Sequence, residues 1–209
     1  MGFQAWWIFV CAAFLVSAMP GPNMLHVMAR SMHFGFGRAI FTMAGCMAGL
    51  LLLFGLSAAG MSALLAAMPR LFEAIKIAGA LYLLYIGIKA FRDDGSDADP
   101  EGVPVETGRL STRVLFRDGF LISISNPKAL IFAAAFFPQF IDPIAPKAPQ
   151  FAILLATFAV IECAWYCTYA LCGRSLARHL RKASWRRMLN RVTGSLFVGF
   201  GASLLAWRG

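Results

Sequence analysis

AIFTMAGCMAGLLLLFGLSAAG, residues 39–60, passes through 22 positions without one charged side chain. A helix that crosses the hydrocarbon core of a bilayer needs about 20 predominantly apolar residues. This stretch therefore predicts a membrane span. Five more apolar segments flank it, at 3–19, 69–91, 115–140, 149–173 and 192–207. Together they account for most of a 209-residue chain that is 59% hydrophobic and only 14% charged. Soluble domains carry about 25% charged residues, and disordered chains are more polar still. Both classes are excluded. Met1 to Met19 has the apolar content of a signal peptide but no basic start and no small-residue cleavage site, so it reads as a retained first helix.

The net charge of +9 would suit nucleic acid, but the polar stretches hold no reader motif and no stacking platform. Membrane proteins concentrate Lys and Arg in cytoplasmic loops. Fourteen of the nineteen basic residues, from Arg30 and Arg38 to Arg187 and Arg191, follow segments 1, 3 and 5. This bias predicts both termini outside, three basic loops in the cytoplasm, and no nucleic-acid partner. Six of the ten acids lie in the loop at 92–113, which reads as a solvated linker. The chain thus divides into a first half, about 1–91, and a second, about 114–209, within one transmembrane domain. Three spans on each side of the linker give the halves opposite orientations.

Each half opens with a proline break: Pro20-Gly21-Pro22-Asn23 in the first and Ser125-Asn126-Pro127-Lys128 in the second. Interrupted helices at matching positions of inverted halves point to a transporter binding site, although prolines are also tolerated as simple kinks in membrane helices. Proline has no N–H, so Pro20, Pro22 and Pro127 deprive the carbonyls of Val16, Ala18 and Ser123 of helical partners. Asn126 fits an N-cap and Pro127 the first helical position, while Pro22 opens a half-helix over 22–34. Such helix starts suit an anion such as a carboxylate. Lys128 in a first turn opposes the helix dipole unless an anion sits nearby; snorkelling to the interface or pairing with Glu162 are its alternatives. Glu162 lies mid-segment within Val160-Ile161-Glu162-Cys163-Ala164-Trp165. A carboxyl at that depth is costly and functional by default. Proton coupling or contact with a substrate amine is one reading, structural pairing the other.

The remaining features are weaker. Cys163 and Cys167 stand one turn apart beside Glu162, which soft metals would favour, but small packing residues explain them equally. His26, His33 and His179 have no ligand spacing. Five cysteines in or beside apolar runs form no disulfide framework. Gly45 and Gly49 make a GxxxG, for internal packing or a homodimer face, the former expected. Phe132, Phe136 and Trp165 lie near the breaks, positioned to line a pocket or to face lipid. No HExxH, GxSxG or Walker loop is present, so no enzymatic activity and no cofactor are expected.

Several stretches taken together resemble the LysE/RhtB family of bacterial amino-acid exporters. They are Pro20-Gly21-Pro22-Asn23-Met24 with Arg30-Ser31; Ala74 to Ala80 continuing into Tyr82 to Gly87; Gly119-Phe120 through Asn126-Pro127-Lys128-Ala129; Pro138-Gln139-Phe140; and Gly173-Arg174. The resemblance implies a six-helix exporter of the bacterial inner membrane that moves amino acids outward, in exchange for protons. It also implies an acid in the fifth helix, where Glu162 stands. Ser123 departs from the family, whose members often carry a second Asn there.

The sequence therefore predicts an all-α membrane protein of six transmembrane helices in two inverted three-helix halves, the first and fourth helices interrupted at proline breaks. The expected activity is amino-acid export by proton antiport with alternating access. Pro20, Gly21, Pro22, Asn23, Ser123, Asn126, Pro127 and Lys128 are the substrate-binding candidates, and Glu162 holds the proton or the amine. A metal-ion exporter and a non-transporting assembly subunit are the rival readings.

Overall fold

The computed structural model describes residues 2–67, 110–133, 137–142, 144–173, 175 and 183–206, with eight positions between 77 and 92. All regular structure among them is helical. The elements are α1 (Phe3–Ala18), α2 (Pro22–Phe34), α3 (Phe36–Ala67), α4 (Thr112–Ile124), α5 (Pro127–Ile131), a 3₁₀ turn (Phe137–Phe140), α6 (Lys147–Leu171) and α7 (Ala183–Ala206). Most of the predicted third segment, the acids of the linker, Glu73 and Lys76 lie outside the described residues. Ile77, Leu81, Leu84, Tyr85, Gly87, Ile88, Phe91 and Arg92 are helical.

Two described helices are long and apolar enough to cross a membrane, Phe36–Ala58 within α3 and Lys147–Leu171. The α1–α2 pair qualifies as a third if its two parts, bent by 52°, form one span. The bend lies at Met19-Pro20-Gly21-Pro22, where neither proline can donate to the helical ladder.

The half-helix expected over 22–34 forms as α2, and the polar connection expected through Arg38 is reduced to a single residue. α2 continues to Phe34, and Gly35 alone separates it from α3. Gly35 adopts φ 81°, open to glycine at little cost, and its N–H reaches the Ser31 carbonyl at 2.9 Å, ending α2. Arg30 is consequently inside a helix and buried. α7 likewise begins at Ala183 and absorbs the end of the basic stretch assigned to a loop.

α3 and α4 form the most extensive helix pair. Their backbones touch because glycines line the crossing. A Cβ on Gly45 would fall on the Phe116 carbonyl, and one on Gly119 on the Thr42 carbonyl. A Cβ on Gly49 would lie 2.7 Å from that of Ser123. The Gly45–Gly49 motif is thus used for internal packing. On the far side of this seam, Phe54 of α3 gathers Phe132, Phe137 and Phe158, with ring centroids 4.7–5.9 Å from its own.

α6 begins at a loop clamped by one side chain. Gln150 accepts from the Asp142 N–H at 2.9 Å and donates to the carbonyls of Asp142, Ala145 and Pro146. Gln150, Leu154, Phe158, Glu162, Tyr166 and Tyr169 are all buried on this helix. Their three- and four-residue steps place them on one face.

Candidate functional site

The α1–α2 break and the α4–α5 break meet inside the protein. At the first, the carbonyls of Val16, Ala18 and Met19 at the end of α1 have found side-chain or local donors. Tyr169 Oη donates to the Ala18 carbonyl at 2.8 Å. The Lys128 ammonium donates to the Val16 carbonyl and, at 3.3 Å, to that of Met19. The Met19 N–H also reaches Val16 at 3.3 Å. Buried backbone groups require such partners.

At the second break, Asn126 caps α5 as its residue type predicts, its Oδ1 accepting from the Lys128 N–H at 3.0 Å. The Asn126 N–H reaches the Ser123 carbonyl at 3.2 Å. α5 spans Pro127–Ile131 and runs on into a π-helical turn at Phe132 and Ala133, and a 3₁₀ turn occupies Phe137–Phe140.

Asparagines lock the two breaks together. Asn126 Nδ2 donates to Asn23 Oδ1 at 3.0 Å, and Asn23 Nδ2 donates to Ser123 Oγ at 3.1 Å and Tyr166 Oη at 3.2 Å. Asn23, Ser123, Asn126 and Tyr166 are buried. One amide pair thus joins residues 103 positions apart in the chain.

Beside this network lies a cavity of about 30 Å³, room for roughly two waters. Ordinary small-molecule pockets are about 300–1,000 Å³. Its polar end is built from Ser17, Asn23, Asn126, Lys128 and Glu162; Leu50, Phe54, Phe132 and Phe158 form the apolar end. Gly21 packs beside the Lys128 stem, where a Cβ would lie in ordinary contact at 3.5 Å from Cδ. Glu162 is 6% exposed. Ser17 is buried and lines the same cavity. Lys128 and Glu162 share the cavity but form no ion pair.

Of the nine residues singled out from the sequence, Gly21, Asn23, Asn126, Lys128 and Glu162 line this cavity. Ser123 stands behind it, bonded to Asn23. Pro20, Pro22 and Pro127 shape the breaks without lining it. Phe132 lines the apolar end, Trp165 instead packs against Phe14 and Tyr169, and Phe136 lies outside the described residues. Ser17, Phe54, Phe158, Tyr166 and Tyr169 were missed. For the three on α6 a signal existed, their spacing from Glu162 along one helix face.

A second charged contact ties the same elements one level away. Arg30 of α2 meets Asp118 of α4 at 3.4 Å, and Arg117 holds the other carboxylate oxygen at 3.0 Å. A buried guanidinium needs such a counterion, which is why Arg30 sits inside a helix. His26, one turn before Arg30, is buried with neither ring nitrogen partnered, and it does not line the cavity. Among the described residues, no three His, Cys, Asp or Glu side chains gather as a metal site would need.

Comparison with known proteins gives a consistent result. The family model described as LysE type translocator matches residues 14–207. A homoserine/homoserine lactone efflux protein of Salmonella typhimurium is 32% identical over 209 residues, covering 100% of this chain and 99% of the relative. A leucine efflux protein of Salmonella choleraesuis is 31% identical, covering 97% and 95%. An uncharacterized membrane protein of Vibrio cholerae is 30% identical, covering 98% of each. No solved structure matches the chain.

Proposed function

The chain belongs to the LysE type translocator family, and from that premise we propose that it exports neutral amino acids or their close derivatives from the bacterial cytoplasm in exchange for protons. In this reading it is a six-span protein of the inner membrane with both termini periplasmic. Its halves, about 1–91 and 114–209, are inverted and joined by the cytoplasmic linker at 92–113. It performs no chemistry on its cargo.

The observation that carries the proposal is the meeting of two helix breaks at one small cavity lined by a lysine and a glutamate. Isolated charges inside a membrane protein are costly and mark substrate or ion pathways. Interrupted helices supply unpaired backbone groups at the same depth. An amino acid brings one charge of each sign. Glu162 and the carbonyls ending α1 suit its ammonium, Lys128 suits its carboxylate, and the phenylalanines suit an aliphatic side chain. Leucine and homoserine, named in the relatives, fit that description. A lactone lacks the free carboxylate and shares only the ammonium, which puts the amine-binding groups at the centre of recognition. Glu162 in turn carries the proton that returns when the amine has left.

A cavity of about 30 Å³ corresponds to a closed form, so loading requires the halves to part. Alternating access follows if the Asn23–Asn126 and Arg30–Asp118 contacts open in turn. The deciding experiment is efflux from proteoliposomes loaded with a mixture of the common amino acids, with and without an imposed pH gradient. Selective loss of one or a few neutral amino acids, faster with the gradient, is expected. No loss from vesicles holding verified folded protein would overturn the proposal.

A further inference from the structure

Tyr169 gives its hydroxyl proton to the Ala18 carbonyl. Tyr166, on the same face of α6 and fully buried, is placed differently. Its Oη accepts from Asn23 Nδ2 at 3.2 Å, which leaves its own proton to donate. Two acceptors face that hydroxyl, the Glu162 carboxyl one turn earlier on α6 and the Cys46 thiol of α3. Sulfur accepts weakly and a carboxylate strongly. The donors then run one way: Asn126 Nδ2 to Asn23 Oδ1, Asn23 Nδ2 to Tyr166, and Tyr166 to Glu162. The amide contact that joins the two helix breaks is thus linked to the buried acid. Resting on the exporter reading above, we infer that Tyr166 is a positioning residue that holds the two breaks together while Glu162 is ionised, and so keeps the empty carrier from switching.

A hydrogen bond to an ionised carboxylate is roughly twice as strong as one between neutral groups, and buried chains of hydrogen bonds strengthen one another. Ionised Glu162 therefore tightens Tyr166 and, through it, the Asn23–Asn126 bridge. A proton on the carboxyl cancels the charge and slackens the bridge. The ammonium of an amino acid, or of its lactone, does the same. Lys128 of α5, Ser17 of α1, Cys46 of α3, and Cys163 and Tyr169 of α6 also surround the carboxyl. Lys128 is the one cation among them, and its ammonium is held on the Val16 and Met19 carbonyls. Of the whole group, Tyr166 is the member that bonds to Asn23. A carrier that switches only with a proton or a substrate aboard exchanges one for the other and leaks neither.

The test compares wild type with Tyr166→Phe, which keeps the ring and removes the hydroxyl. Tyr166→Met, equally without a hydroxyl and flexible enough to refill the space, keeps the experiment decisive should the first fail to fold. Proteoliposomes at clamped membrane potential are read twice. One reading is the decay of an imposed pH gradient with no amino acid present; the other is efflux of loaded leucine or homoserine with and without that gradient. Wild type should hold the gradient until substrate is supplied. The variants should dissipate it without substrate, and should lose its acceleration of efflux while still releasing substrate. Folded variants that hold the gradient, with efflux slowed by the same factor in its presence and absence, would make Tyr166 merely structural. That result would overturn the inference and leave export intact. Wild type that is folded but moves neither leucine nor homoserine would remove the exporter reading and this inference with it.

Discussion

In the proposed mechanism Glu162 carries the returning proton. It is buried on α6 beside a cavity that Ser17 and Lys128 also line. The proposal requires this carboxyl to exchange a proton when either side of the membrane opens to it. Glu162→Gln keeps the shape and removes the exchangeable proton. Leucine should still leave vesicles down its own gradient. An acidic exterior, which speeds the wild type by supplying protons from the side where substrate is released, should not speed the variant. Proton-driven acceleration equal to wild type would take Glu162 out of the mechanism. Lys128 and Glu162 were legible in the sequence because a charge inside an apolar run stands out. Tyr166 and Tyr169 were marked only by their helical spacing from Glu162, since an aromatic in an apolar run suits lipid, core or site equally. What distinguishes them is the carbonyl or amide each hydroxyl reaches.

At the scale of helices, the close α3–α4 crossing positions the second break against the first. Gly45, Gly49 and Gly119 allow backbone to meet backbone, and Ser123, at the end of that seam, reaches Asn23. A Cβ at Gly45 has nowhere to go, whereas Gly55 on the same helix has nothing within 4 Å. Gly45→Ala should lower stability by about 1–3 kcal/mol, the usual cost of overpacking. Gly55→Ala should leave it unchanged or raise it by about 0.5–1 kcal/mol, as alanine replaces a flexible residue in a helix. The fraction of protein surviving a heating series by size-exclusion chromatography reads both. Equal behaviour of the two variants would mean that the seam does not bear on stability. The seam also bears on Ser123. Its Cβ would lie 2.7 Å from a Cβ at Gly49, so the seam admits a side chain at 123 only because position 49 has none.

At the scale of the whole molecule, the proposed topology places the cavity between two oppositely directed halves. Single cysteines at Ser111 and Ile144, in a background cleared of the five native cysteines, test it. Both positions are exposed, Ile144 at 95%. A membrane-impermeant maleimide added to intact cells should label Ile144→Cys and spare Ser111→Cys until the cells are opened. The reverse pattern would invert the orientation, and labelling of both from outside would remove the inverted-half arrangement.

The helical membrane character and the two breaks were determined by the sequence alone, because each rests on local chemistry. Apolar length makes a span, proline removes a donor, and asparagine caps the helix that follows. The half-helix over 22–34 was legible, but the one-residue junction at Gly35 was hidden by local polarity, and so was the burial of Arg30, which depends on the counterion that Asp118 supplies from far along the chain. The partner of Lys128 was hidden for the same reason. Whether a lysine meets a carboxylate, a lipid headgroup or a carbonyl depends on what the fold brings within about 3 Å, and only packing α5 against the end of α1 put the carbonyls of Val16 and Met19 there.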